Sequence, residues 1–158
     1  MTDMINLTKY AINYLSKYSS STSNLDKILK NKIRRLKIEK KEKYLLYNSI
    51  EEIIIKLEKN NLLNDKTYSE SKIRNFIQQG KSRLYIKGYL IQKGILNNII
   101  LEIFEDYDLS NPNWEIESAK IFVRKKRLLE KNDKEKNFSK MSRAGFNYEI
   151  SKKILGAN

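Results

Sequence analysis

The sequence predicts an all-α protein, an elongated tandem array of three three-helix modules with about nine helices. Three observations carry this expectation. Apolar residues recur at three- and four-residue steps along the whole chain, which lines up one face of a helix. One proline and five glycines in 158 residues supply few of the breaks that a strand-rich protein with many tight turns requires. A glycine-centred corner also occurs twice with the same apolar neighbours, as stacked helical modules would produce. The length suits one compact domain or a short array. With hydrophobic residues at 40% and charged residues at 32%, the composition stands on the globular side of the boundary with disorder.

Each element follows from local chemistry. The first helix, roughly Ile5 to Tyr18, brings Leu7, Ala11, Tyr14, Leu15 and Tyr18 to one face, and Ser19 to Ser23 interrupts it. Asn24 is suited to cap the second helix, in which Leu25, Ile28, Leu29, Ile33 and Leu36 form a stripe beside lysines and arginines. A basic connection runs to about Lys43. The third helix carries Ile50, Ile53, Ile54 and Leu57; Ser49 and Glu52 fit a capping box at its start, unless Leu46 and Tyr47 extend the stripe backwards. Asn60 and Asn61 close it.

The pattern then restarts. Tyr68, Ile73, Phe76 and Ile77 mark a helix ending at Gly80, and Ser82 can cap the next, which runs through Ile86 and Leu90 to Gly94. Ile99, Ile100, Ile103 and Phe104 form another short helix. Asp106 to Asn113, with the only proline, reads as a linker. Trp114 or Ile116 opens a longer helix through Ala119, Phe122 and Val123 to about Leu129. A charged turn at Lys131 to Asp133 leads into a helix ending at Gly145, and Tyr148, Ile150, Ile154 and Leu155 form the last one.

The repeat lies in two segments that align without gaps: LIQKGILNNIILEIF from Leu90 and MSRAGFNYEISKKIL from Met141. Gly94 matches Gly145, Ile95 matches Phe146, Ile99 matches Ile150, Ile103 matches Ile154 and Phe104 matches Leu155. Glycine ends one helix at positive φ, the next apolar residue packs back, and the later apolar positions face a common core. The first third offers a partial copy, with Leu25 and Leu29 opposite Ile86 and Leu90 and with Ile33 where the glycine would stand. These spacings predict modules at 1–61, 62–107 and 108–158.

Composition also excludes chemistry. The chain has no cysteine and no histidine, so disulfides, thiol nucleophiles, Ser-His or Cys-His pairs and zinc sites built on these residues are absent. No cofactor or metal site is expected. No apolar stretch approaches the roughly 20 residues of a membrane span, and the opening residues lack the pattern of a secretory signal, so a cytoplasmic protein is expected. The formal charge is +13, which suits a polyanionic partner. The charge is clustered, at Arg34-Arg35-Lys37 with Lys40-Lys41 and at Arg124-Lys125-Lys126-Arg127; uniform compositional drift would scatter it.

The string from Leu62 to Ile95, LLNDKTYSESKIRNFIQQGKSRLYIKGYLIQKGI, resembles the central signature of RecX proteins. Asp65, Tyr68, Ser69, Arg74, Gly80, Ile86, Leu90, Lys93, Gly94 and Ile95 occupy the motif positions. Arg143, Gly145, Phe146 and Tyr148 are similar to the family's closing R-x-G-F-[S/N]-Y element, and Tyr14 to Arg35 resembles the first module of some members. Asn64 departs from the family's acidic pair, Tyr68-Ser69 replaces the commoner Phe-Ala, and the surface is rich in lysine rather than arginine. Lysine holds an anion as a point charge without arginine's bidentate fork.

The resemblance implies a non-enzymatic regulator of DNA repair, recombination and the SOS response. It would bind in the groove of the RecA filament on single-stranded DNA and modulate, mainly inhibit, its recombinase, ATPase and coprotease activities. Its partners would be RecA and single- or double-stranded DNA, with no membrane and with the protein a monomer. The expected contact residues are Arg34, Arg35, Lys81, Arg83, Lys87, Arg124, Lys125, Arg127 and Arg143. Tyr85 and Tyr89, four apart, are positioned either for stacking or for packing. Two other classes stand beside this one. A basic helical protein binding nucleic acid without RecA would follow from charge alone. A Mg²⁺-dependent nuclease would have to use Glu51-Glu52 or Asp106-Asp108, but adjacent helical residues diverge by about 100°, which suits a shared ion poorly.

Overall fold

In a computed structural model, which describes residues 6–130 and 132–156, the described residues form nine α-helices and no strand. The expected all-α class is therefore observed. Ile5 and Lys131, assigned above to the first helix and to a turn, lie outside the described residues. The helices are α1 (Leu7–Lys17), α2 (Thr22–Arg35), α3 (Lys40–Lys59), α4 (Asp65–Gln78), α5 (Arg83–Gln92), α6 (Asn97–Ser110), α7 (Trp114–Lys125), α8 (Lys134–Arg143) and α9 (Tyr148–Leu155), with a 3₁₀ turn at Leu128–Glu130. They pack as two units: one runs through Tyr68 and takes in Lys93–Ile95, and the other comprises Ser69–Gln92 and the chain from Leu96 onward.

In the first unit the core is built by α1, α2 and the second half of α3. Leu25, Leu29 and Ile33 of α2 are fully buried with Leu7, Ala11, Ile50, Ile53, Leu57 and Leu63, and each leucine or isoleucine contributes about 1.5–3 kcal/mol by leaving water. Ser21, not Asn24, caps α2: its hydroxyl accepts the Asn24 N–H at 3.1 Å, while the Asn24 side chain donates to Ser20. Helix α3 starts at Lys40, nine residues before the expected capping box, and Ser49 lies inside it, donating its hydroxyl to the Leu46 carbonyl. Half-buried Leu46 packs against the core and carries the apolar stripe backwards. That burial overrides a cap signal worth about 1 kcal/mol. Asn60 and Asn61 do end the helix, with Asn61 at φ +57°.

In the second unit, Ala119, Val123, Leu128, Met141, Phe146 and Ile150 form one cluster, and Ile73, Ile86, Leu90, Ile100 and Ile103 are also buried. Helix α6 continues to Ser110, so most of the expected linker from Asp106 is helical and only 111–113 connect it to α7. The turn-forming residues there are held by side-chain bonds. Asp108 accepts from the Trp114 indole at 2.7 Å and from Arg83, and Tyr107 meets Trp114 edge-on. Helix α7 stops at Lys125 rather than near Leu129, because Arg127 turns to φ +52° and delivers Leu128 into the core.

The repeated corner appears as expected, with Gly94 at φ +77° and Gly145 at φ +94° and with Ile95 and Phe146 packed back and buried. Each corner is clasped in the same way within its own unit. The Ser21 hydroxyl donates to the Lys93 carbonyl, and the Ser82 hydroxyl donates to the Ala144 carbonyl, both at 2.7 Å. In each case the acceptor is the residue before the glycine. A Cβ on Gly94 would collide with Ser23, and one on Gly145 with the Ser82 hydroxyl, so both corners need glycine for space as well as for φ. The next amide in each pair is also held alike. The Thr22 N–H donates to Asp65 at 2.7 Å and the Arg83 N–H to Glu115 at 3.1 Å, which places a carboxylate at the positive end of a helix.

Candidate functional site

The nine basic residues fall in five places. Lys81, Lys125 and Arg143 come from the α4–α5 turn, α7 and α8 and converge on a concavity of about 540 Å³ with Gly80, Tyr85, Phe122 and Ala144. Lys126 lines it too, and Lys140 extends it along Phe122 and Arg143, so five cations and, among the described residues, no carboxylate line the combined groove. Gly80 makes this possible, since a Cβ there would stand 2.8 Å from the Phe122 backbone nitrogen. The α4–α5 turn therefore lies directly on α7. Lys81 is fixed at both ends, its carbonyl accepting the buried Ser118 hydroxyl and its ammonium resting 4.6 Å above the Tyr85 ring. The Lys125 ammonium donates to the Gln79 carbonyl at 3.3 Å, and the Arg143 Nε donates to the Ser139 carbonyl at 3.4 Å; in Lys125 the bond meets an unpaired carbonyl at the end of α4.

Arg124 and Arg127 line a separate hollow of about 420 Å³ with Lys120, Lys153, Leu129 and Glu130. Arg34 and Arg35 are exposed at the end of α2, in the first unit. Lys87 is half-buried on α5 and lines neither hollow.

Arg83 is half-buried and tied to the protein's own carboxylates. Its guanidinium donates to Asp108 at 2.5 Å, its Nε stands 3.5 Å from Glu115, and its Cζ lies 5.1 and 4.9 Å from the Phe104 and Trp114 rings. Partial burial disfavours the charge, but the bonds and charges of Asp108 and Glu115 outweigh it and hold the Arg83 pKa above its ordinary value. Asp108 is the counterpart. Burial pushes its pKa up, while the hydrogen bonds from Arg83 and Trp114 and the charge of Arg83 bring it below the ordinary carboxylate range. Tyr85 and Tyr89 meet Phe76 edge-on at 5.4 and 4.8 Å, which is the packing role. Glu52 pairs with Lys56 on the surface of α3.

Lys126 stood in a recognised cluster but outside the expected contact set, and Lys140 was missed. Lys140 precedes Arg143 by three residues on α8, the helical spacing that puts both on one face. Among the described residues no cluster of three metal-ligating side chains occurs, and no helix is long and apolar enough to cross a membrane.

These features define an all-helical basic protein organised by repeated, serine-clasped corners. No model of a known protein family matches the chain. Individual proteins do. It is 27% identical over 161 residues to the regulatory protein RecX of Myxococcus xanthus, covering 96% of this chain and 85% of that one. It is 32% identical over 120 residues to the regulatory protein RecX of Lactococcus lactis, covering 69% of this chain and 45% of that one, so it spans less than half of that longer relative. The crystal structure of RecX from Lactobacillus salivarius superposes with a TM-score of 0.71 at 28% identity, covering 97% of this chain and 94% of that one. The chain belongs to the RecX family, and its role is regulatory.

Proposed function

We propose that the protein binds the RecA filament on single-stranded DNA and modulates, mainly by inhibition, RecA's recombinase, ATPase and coprotease activities. The observation that carries this reading is the convergence of Lys81, Lys125 and Arg143 with Lys126 and Lys140 on one groove that no carboxylate lines among the described residues. Such a groove suits acidic protein surface or phosphate, both of which a nucleoprotein filament presents. The family resemblance supplies the identity of the filament. Three modules at 1–61, 62–107 and 108–158 would let one chain contact more than one RecA protomer. In this reading the protein acts in the cytoplasm, as a monomer, without catalysis.

The test is RecA's DNA-dependent ATPase and strand exchange with stoichiometric protein added. Inhibition is expected, and K81E/R143E should relieve it. An unchanged ATPase and unchanged strand exchange would defeat the reading and favour a nucleic-acid-binding protein independent of RecA.

A further inference from the structure

We infer that the end of α2 and the first half of α3 form a platform for single-stranded nucleic acid, with Tyr44 and Tyr47 stacking on bases while Arg34, Arg35, Lys40 and Lys41 hold phosphates. Helix α3 is 20 residues long, yet its buried residues begin only at Ile50. Its first half reaches the core through Leu46 alone. On the other side Tyr44 and Leu45 are 66% and 62% exposed and Tyr47 is 36% exposed. A single exposed apolar side chain is ordinary, but Tyr44 and Tyr47, three residues apart and so neighbours on one side of a charged helix, present two ring surfaces together to solvent. Among the described residues neither tyrosine ring packs on another aromatic ring, in contrast to Tyr85 and Tyr89.

The charge around this patch favours phosphate. The Lys43 ammonium donates to the Arg34 carbonyl at 2.9 Å, which ties the end of α2, where Arg34 and Arg35 are exposed, to the first turn of α3, which carries Lys40 and Lys41. From Arg34 to Lys43 six cations face two carboxylates, Glu39 and Glu42. Lys40, Lys41 and Tyr44 share a helical face by their spacing, and Tyr47 follows Tyr44 by about 4.5 Å along the axis. Flat rings between cations match a strand whose bases are unstacked and whose backbone is accessible. A duplex hides those base faces. An acidic protein helix would call for a longer aliphatic stripe than Leu45 alone provides.

The experiment uses the full chain without RecA and measures the fluorescence anisotropy of a 5′-labelled oligodeoxythymidylate over a range of salt. Wild-type protein should bind it more tightly than duplex of the same length. Y44A/Y47A should weaken binding by about 25-fold, at roughly fivefold or more per lost stack. K40E/K41E should flatten the slope of log affinity against log salt by about 1.4. Because this assay contains no RecA and its variants lie outside the groove of Lys81 and Arg143, this result and the ATPase result stand or fall separately. Absent binding by wild-type protein, equal affinity for duplex, or wild-type affinity in Y44A/Y47A would overturn the proposal. Loss of RecA inhibition with unchanged oligonucleotide affinity in Y44A/Y47A would also overturn it and make the patch a protein-docking surface. Should Y44A/Y47A lose helicity, the salt slope of K40E/K41E decides alone, and an unchanged slope overturns the proposal.

Discussion

Replacing Gly145 with valine tests the corner on which the second unit is built. At φ +94° a residue with a Cβ costs about 1–3 kcal/mol, and a β-branched one stands toward the upper end. The added Cβ also meets the hydroxyl of Ser82, which is fully buried and donates to the neighbouring Ala144 carbonyl at 2.7 Å. Pushing that hydroxyl aside forfeits a bond worth about 1 kcal/mol and leaves two polar groups short of a partner. Together these effects predict a loss of about 3 kcal/mol, or roughly 6–12 °C in Tm for a chain of this size. Gly88 is the internal control, since it lies within α5, is exposed, and would place a Cβ with nothing within 4 Å. Gly88→Ala should stabilise by about 0.5–1 kcal/mol. Urea unfolding followed by tryptophan fluorescence is the assay, because Trp114 is the only tryptophan, is buried, and belongs to the same unit as Gly145 and Gly88. A midpoint for Gly145→Val matching wild type, or a larger loss from Gly88→Ala, would refute the corner.

The remaining predictions use the same unit and its neighbour. Ser82→Ala removes both the bond to Ala144 and the cap to the Tyr85 N–H, and should cost about 2 kcal/mol in Trp114-monitored urea unfolding. Ser21→Ala removes the matching pair and should cost a similar amount by circular dichroism. Asp108 has a folded pKa below its ordinary value, so its contribution is complete above the unfolded carboxylate pKa and is lost as pH falls through the folded one. Asp108→Asn should therefore flatten the decline in stability between neutrality and about pH 3, modestly, because the side chain is 43% exposed. Arg83 keeps its charge over that range and adds no slope. Reversal of Arg124, Lys125 and Arg127 to Glu should weaken RecA-filament binding in a co-sedimentation assay while leaving helicity intact, since exposed charges contribute only about 0–1 kcal/mol each to folding.

The fold was legible in the sequence where burial and backbone conformation point the same way. The α2 stripe of Leu25, Leu29 and Ile33 and the two glycine corners were read correctly because apolar spacing and positive φ each leave a local mark. Errors arose where short-range polar signals compete with tertiary packing. Ser49 and Glu52 look like a helix start, yet half-buried Leu46 carries α3 past them. Asp106, Asp108 and Ser110 look like a linker, yet Arg83 and Trp114 hold Asp108 on α6. The site was less legible, since cations at 81, 125 and 143 meet only through tertiary structure. Arg83 could not be told from a surface arginine without Asp108 and Glu115 beside it. Tyr44 and Tyr47 are not distinguishable from Tyr85 and Tyr89 by helical spacing, since what separates the pairs is a tertiary contact, the Phe76 ring that meets only Tyr85 and Tyr89.

The clasp needs two chemical parts, a hydroxyl that can donate and a carbonyl presented by a residue ahead of a glycine turn. Helices α2, α5 and α8 start on Ser21, Ser82 and Asp133 as N-caps, 61 and 51 residues apart, the same intervals that separate the matching apolar positions Leu29, Leu90 and Met141. Ser21 and Ser82 each accept the amide three residues on and still donate outward. Asp133 accepts the Lys136 amide in the same way, but an ionised carboxylate has no proton to give and would repel a carbonyl oxygen. The first copy of the pattern lacks the other half, since Ile33 stands at the glycine position inside α2. Three copies of one pattern thus yield two clasps, Ser21 on Lys93 and Ser82 on Ala144. The copies differ at the residue types that decide whether a further clasp of this kind can form.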